Sequence, residues 1–183
     1  MILGSAFLLT GLAAVGVALA LAAASRGAPD AGGRSDAVYV HTVLAVTLFL
    51  ALLSAAAALG GSVAAVVPRA WDVSLGDPPS SAVLAVGAGV AYRWHGRRAR
   101  QLLAQPGPEG SAVRRVRATY LYLVCAGAVL VAVFASAPAV LGLAGVLAPG
   151  GRTLGLARLV PGGTLLVGAL VIFRVHWGRR GAP

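Results

Sequence analysis

The stretch Leu84-Ala85-Val86-Gly87-Ala88-Gly89-Val90-Ala91-Tyr92-Arg93-Trp94-His95-Gly96-Arg97-Arg98 returns 81 positions later, without a gap. There it reads Leu165-Leu166-Val167-Gly168-Ala169-Leu170-Val171-Ile172-Phe173-Arg174-Val175-His176-Trp177-Gly178-Arg179. Eight of the fifteen positions are identical, and Tyr92 and Phe173 are both aromatic. The same shift pairs Arg34 with Arg115, Tyr39 with Tyr120, Val43 with Val124, Ala51 with Ala132, Gly61 with Gly142 and Pro68 with Pro149. Self-similarity at one fixed period marks a duplicated structural unit. The chain therefore reads as a first span and loop (1–33), one helical hairpin (34–100), a linker (101–114) and a second hairpin (115–183).

Outside this element the composition decides the solvent. Only 11% of the 183 residues are charged, 58% are hydrophobic, and the mean hydropathy is +0.87. A soluble domain carries about 25% charged residues. The fold class expected is thus an all-α, polytopic transmembrane helical bundle. Five apolar stretches serve as spans: 2–24, 38–67, 80–94, 119–148 and 159–173. The second and fourth exceed the roughly 20 residues that cross a bilayer, and are expected to tilt or to end in interfacial segments near Gly60-Gly61 or Gly142. The third is short and needs Arg93 and Trp94 at the headgroups. Breakers at Gly27 to Asp30, at Pro68 and Pro78-Pro79, at Pro106 to Gly110, and at Pro149-Gly150-Gly151 with Pro161-Gly162-Gly163 separate the stretches. Two spans per hairpin make both copies face the same way, a parallel repeat. Pro138, where the first copy has Ala57, is expected to kink the fourth span. Small faces such as Gly87 with Ala91 and Ala51 with Ala55 are expected to bring helices close.

All fifteen basic residues are arginines, and they fix the orientation. With five spans, twelve fall on one side: Arg26, Arg34, the seven from Arg93 to Arg117, Arg174, Arg179 and Arg180. Arg69, Arg152 and Arg158 fall on the other. The positive-inside bias then places the C-terminus and the segment from Arg93 to Arg117 in the cytoplasm and the N-terminus outside. Cleavage after Ala22-Ala23-Ala24, as in a signal peptide, would invert this arrangement, and no basic residue precedes the apolar run, so an uncleaved span is expected. The absence of lysine beside abundant Ala, Gly and Arg suits GC-rich coding in a bacterium, hence a bacterial cytoplasmic (inner) membrane. A net charge of +10 borne at the borders of apolar runs speaks for membrane surfaces rather than nucleic acid.

The repeated element ends as aromatic-Arg-X-His followed by an arginine cluster. A Pro/Gly/Glu linker (Gln105 to Ser111) and the restart Arg114-Arg115-Val116-Arg117-Ala118-Thr119-Tyr120-Leu121-Tyr122 follow the first copy. This arrangement resembles an uncharacterised bacterial multi-pass membrane domain family of unknown function, over most of residues 38–180. The resemblance implies a helical membrane fold without an assigned activity. Trp94 precedes its histidine whereas Trp177 follows its own, a departure from strict repetition.

Arg93, His95, Arg98, Arg174, His176 and Arg179 are the candidate contacts for an anionic lipid headgroup or ligand. Generic anchoring requires neither histidine nor the same spacing twice. Trp94, Trp177, Tyr39 and Tyr120 are expected as interfacial anchors of the aromatic belt. No cofactor or metal is expected: Cys125 is alone, no histidine has a ligand partner at i+3 or i+4, and His41 is placed near the face opposite His95 and His176. The five acids, Asp30, Asp36, Asp72, Asp77 and Glu109, are all expected in loops. Without paired carboxylates, a nucleophile motif or a charge at mid-span, the chain reads as a non-enzymatic structural or accessory subunit. Its partners would be the bilayer, anionic phospholipid headgroups, and a second copy or another membrane protein. The alternative is a small facilitator or transporter with a pathway between the hairpins.

Overall fold

The computed structural model describes residues 15–23, 31–66, 77–104 and 108–179. The described residues form five helices and no strand: α1 (15–23), α2 (Ala31–Val66), α3 (Pro78–Leu103), α4 (Pro108–Leu147) and α5 (Arg152–Gly178). The all-α class expected from composition is what is found. Three helical segments are long and apolar enough to cross a membrane: Ser35–Val66, Val113–Leu147 and Arg152–Gly178. At 1.5 Å per residue they are about 40–50 Å long, against a hydrocarbon thickness of roughly 30 Å. No more than a third of their most apolar windows is buried inside the protein. Large apolar side chains such as Phe134, Val133, Val83 and Val86 stand exposed, as on a lipid-facing surface. α3 is not among the three, because Arg93 ends its apolar part. The first expected span, 2–24, lies largely outside the described residues, as do Asp30 and Asp72.

Several local expectations give way to longer helices. Pro161-Gly162-Gly163 breaks nothing: these residues lie inside α5, which begins at Arg152. Gly60-Gly61 and Gly142 lie inside α2 and α4, and neither glycine site ends its helix. The segment from Arg93 to Arg117, with its linker expected at 101–114, is largely helical, since α3 continues to Leu103 and α4 starts at Pro108. Of the acids expected in loops, Asp36 lies in α2 and Glu109 in the first turn of α4. Asp77 immediately precedes α3, where its carboxylate accepts from the backbone N–H of Ser80 (3.1 Å) and its hydroxyl (2.7 Å). A cap followed by prolines in the first turn is a favoured helix start, since Pro lacks an N–H that would go unpaired there.

The chain forms two compact units. The first comprises the described parts of 1–49, 88–125 and 176–183. Its core repeats with helical spacing: Ala37, Val40, His41, Leu44 and Ala45 on α2, and Val113, Val116, Tyr120, Leu121, Val124 and Cys125 on α4. The second comprises 50–87 and 126–175, and most of its buried side chains are small, Ala56, Ala64, Ala128, Ala135, Ala139, Ala157 and Ala169, with Ile172 a larger one. Here α4 and α5 approach through glycine. A Cβ placed on Gly162 would lie 2.8 Å from the Ala139 nitrogen, and one on Gly145 would lie 3.0 Å from the Gly155 Cα. Pro138 lies inside α4 and Pro161 inside α5 without ending either helix, and each in-helix proline meets a glycine: Gly162 packs on Pro138 and Gly60 on Pro161. Gly87, expected at a close approach, has nothing within 4 Å of its Cβ position. The hydroxyls of Thr42, Thr47, Ser136 and Thr164 donate to carbonyls three or four residues back, which satisfies them at depth within their own helix.

Candidate functional site

The site lies wholly in the first unit and begins with the helical spacing of α3. Gly89, Tyr92-Arg93, Gly96-Arg97, Ala99-Arg100 and Leu103 recur every three to four residues, so they share one face. That face lines a cavity of about 790 Å³ together with His41 and Leu44 of α2, Arg117, Tyr120 and Leu121 of α4, His176 of α5, and Arg179 just beyond it. Five arginines line the cavity, and none of the described lining residues is a carboxylate. Gly89 has nothing within 4 Å of its Cβ position and Gly96 meets only a Leu44 methyl at 3.9 Å, so the glycines keep the arginine face open.

The buried end of the cavity is an aromatic array. Tyr120 stands edge-on between two imidazoles, with ring centroids 5.2 Å from His41 and 6.0 Å from His176. His41 is 2% and His176 3% exposed, burial that demands hydrogen bonding. Nδ1 of His41 donates to the Ala37 carbonyl at 2.8 Å; a carbonyl only accepts, so this nitrogen carries the proton. The hydroxyls of Tyr92 and Tyr120 both lie 3.4 Å from His176 Nε2. These are long contacts, near the outer limit of hydrogen bonding.

A second, smaller cavity of about 460 Å³ is lined by Asp36, Tyr39, Val40, Trp94, His95, Arg97, Arg98 and Gln101. His95 donates from Nδ1 to the Ala91 carbonyl at 2.9 Å and stands edge-on to Tyr39 at 6.0 Å and to Trp94 at 5.0 Å. Arg98 reaches Asp36 at 3.4 Å, both side chains being about half exposed.

The six candidate anion contacts are thus divided. Arg93, His176 and Arg179 line the larger cavity, His95 and Arg98 line the smaller one, and Arg174 is exposed and lines neither. Of the expected anchors, Tyr39, Trp94 and Trp177 are exposed, but Tyr120 is 5% exposed and belongs to the cavity wall. The placing of His41 opposite the other histidines is also corrected. It lies in the N-terminal third of α2 and shares the cavity with His176. Sequence reading missed His41, Tyr92, Arg97, Arg100 and Arg117. A signal was present for two of them, since Arg97 and Arg100 follow the candidate Arg93 at i+4 and i+7. Among the described residues no group of three His, Cys, Asp or Glu stands close enough to hold a metal.

Comparison with protein families, with curated proteins and with solved structures finds no match.

Proposed function

We propose that the chain is an integral protein of the bacterial cytoplasmic membrane, a non-enzymatic structural or accessory subunit that holds an anionic headgroup in the arginine-lined cavity. Five spans, with the N-terminus outside, put the cavity at the cytoplasmic face. The observation that carries the reading is the lining: five arginines, two histidines and two tyrosine hydroxyls without a carboxylate. Such a lining attracts anions, and guanidinium groups bind phosphate in bidentate fashion. His41 and Tyr120 stand near the start of two candidate spans and His176 near the end of the third, so the cavity opens at headgroup level. A transport pathway would need polar groups at mid-depth; Thr47 and Ser136 bond their own helices instead, which leaves Ser54 as the buried mid-span hydroxyl.

The duplicated hairpin belongs to the same reading. α2 and α4 end 81 residues apart, at Val66 and Leu147. The ring pairs Tyr39–His95 and Tyr120–His176, also 81 apart, share a 6.0 Å separation and interplanar angles of 64° and 68°.

The test is native mass spectrometry of the full chain released from nanodiscs, comparing wild type with Arg93→Gln, His176→Ala and His95→Ala. The wild type and His95→Ala are expected to retain an anionic lipid that the other two lose. Equal, nonspecific lipid on all four forms would overturn the reading and leave the arginines as surface anchors.

A further inference from the structure

We propose that the larger cavity selects a terminal phosphate, a phosphomonoester or diphosphate end, over the phosphodiester of a common anionic lipid. The proposal rests on the reading of this cavity as an anionic-headgroup site and specifies the headgroup.

Charge supplies the first argument. Arg93, Arg97 and Arg100 form a row along α3 that spans about 10 Å at 1.5 Å per residue. Arg117 and Arg179 add guanidinium groups from α4 and from the end of α5. Arg117 is half-buried and the other four are exposed, and like charges gathered at one mouth repel, so an anion that bridges them is favoured. A phosphodiester offers one negative charge and two free oxygens. A monoester carries about −1.5 to −2 at pH 7 with three acceptor oxygens, and a diphosphate extends that anion along the arginine row.

The counterpart region supplies the second. Position 36 is Asp and position 117, 81 residues on, is Arg, while Arg98 and Arg179 stand at the corresponding second place. In the first region Asp36 is the counter-ion of Arg98 at 3.4 Å. In the second, Arg117 stands where the acid would be, and none of the described lining residues is a carboxylate. The anion that the first region carries in its own chain is, among the described residues, missing from the second, which leaves its place to a ligand.

Space and neutral donors agree with a phosphate that bears an organic group. A volume of about 790 Å³ exceeds what a bare phosphate fills and lies in the range of small-molecule sites. Leu44, Leu103 and Leu121 give the cavity an apolar wall. The Tyr92 and Tyr120 hydroxyls, each 3.4 Å from His176 Nε2, add neutral donors to the cavity wall that can turn towards a phosphate oxygen.

The test uses the full chain in zwitterionic phosphatidylcholine nanodiscs doped with either phosphatidic acid or phosphatidylglycerol, and a parallel titration with inorganic pyrophosphate. Arg117→Gln is the cavity variant and Arg98→Gln the control outside it. Both are required to keep the wild-type thermal transition, and Arg97→Gln replaces Arg117→Gln if that form does not fold. Phosphatidic acid retained about tenfold or more over phosphatidylglycerol, with the preference lost in the cavity variant alone, supports a lipid-borne terminal phosphate. Pyrophosphate that binds wild type and is weakened by a similar factor in the variant supports a soluble diphosphate ligand. Equal retention of the two lipids with no pyrophosphate binding overturns the selectivity while leaving the anionic-headgroup reading intact. Retention of neither lipid and no pyrophosphate binding overturns both.

Discussion

Tyr39 stands 62% exposed against His95, whereas Tyr120, with the same 6.0 Å ring separation from His176, is 5% exposed. The contact is the same in the two regions and its surroundings are opposite. Around Tyr39 lie Trp94 and the Asp36–Arg98 pair, in a cavity that carries its own counter-ion. Around Tyr120 lie His41, Tyr92 and five arginines. Pairwise geometry follows from the spacing of residues that recur at 81 positions. Burial and charge balance follow from what the rest of the fold places beside them, and these have diverged.

Breaking the comparison at the rings is expected to have the largest effect. Tyr120→Ala removes a buried ring packed between two imidazoles and should cost about 3 kcal/mol of stability. Tyr39→Ala should remain within about 0.5 kcal/mol of wild type, as surface changes usually do. Thermal unfolding of the two variants in the same detergent measures the difference, and equal losses would mean that the exposed pair is covered in the assembled protein.

The glycines sharpen the contrast at a smaller scale. Gly87 and Gly168 are identical residues 81 apart, yet a Cβ on Gly87 meets nothing whereas one on Gly168 meets the Leu52 side chain. Gly87→Ala is expected to be neutral or stabilising through helix propensity, and Gly168→Ala to cost up to about 1 kcal/mol while Leu52 rotates away. Gly142→Ala should cost more, about 1–3 kcal/mol, because its Cβ meets the backbone of Leu159, which cannot rotate aside. Detergent unfolding midpoints rank the three, and a larger loss at Gly87 than at Gly142 would contradict the packing described.

The smallest effect belongs to the helix starts. Asp77 caps α3, while Arg158, 81 positions on, lies inside α5. Hydrogen bonds from the Ser80 hydroxyl and N–H hold the Asp77 carboxyl below its ordinary range. A depressed pKa means that the contribution is present above the unfolded value, near pH 4, and is lost as the pH falls through the folded one. The protection factor in the first turn of α3 is therefore expected to fall below about pH 4, and at neutral pH in Asp77→Ala. Arg158→Ala should leave the corresponding turn of α5 unchanged. Equal protection in Asp77→Ala and wild type would show that the prolines alone define the start.

Much of the candidate site was legible along single helices. Arg93, Arg97 and Arg100 share a face by spacing alone, and the exchange of Asp36 for Arg117 is visible once the sequence is laid against itself. His41 and Tyr120 were not legible in this way. Their burial is produced by residues from other helices, and no local pattern in α2 or α4 announces it.

The sequence by itself determined the helical class, the two long apolar runs at 38–67 and 119–148, the recurrence at 81 residues and the gathering of arginine at the borders of apolar runs. These are properties of composition and of one-dimensional spacing, set by the solvation of apolar and charged side chains. Only the tertiary structure decided that Tyr120 is a cavity wall and Tyr39 a surface ring, that Gly142 rather than Gly87 meets a neighbouring helix, and that Pro161 stays inside α5. The physical reason is that a helix apolar on every side has no stripe to tell its inward face from its lipid face. Close approach of helices then rests on shape, on which small residue of one helix meets which backbone of another, and that meeting is fixed by partners distant in sequence.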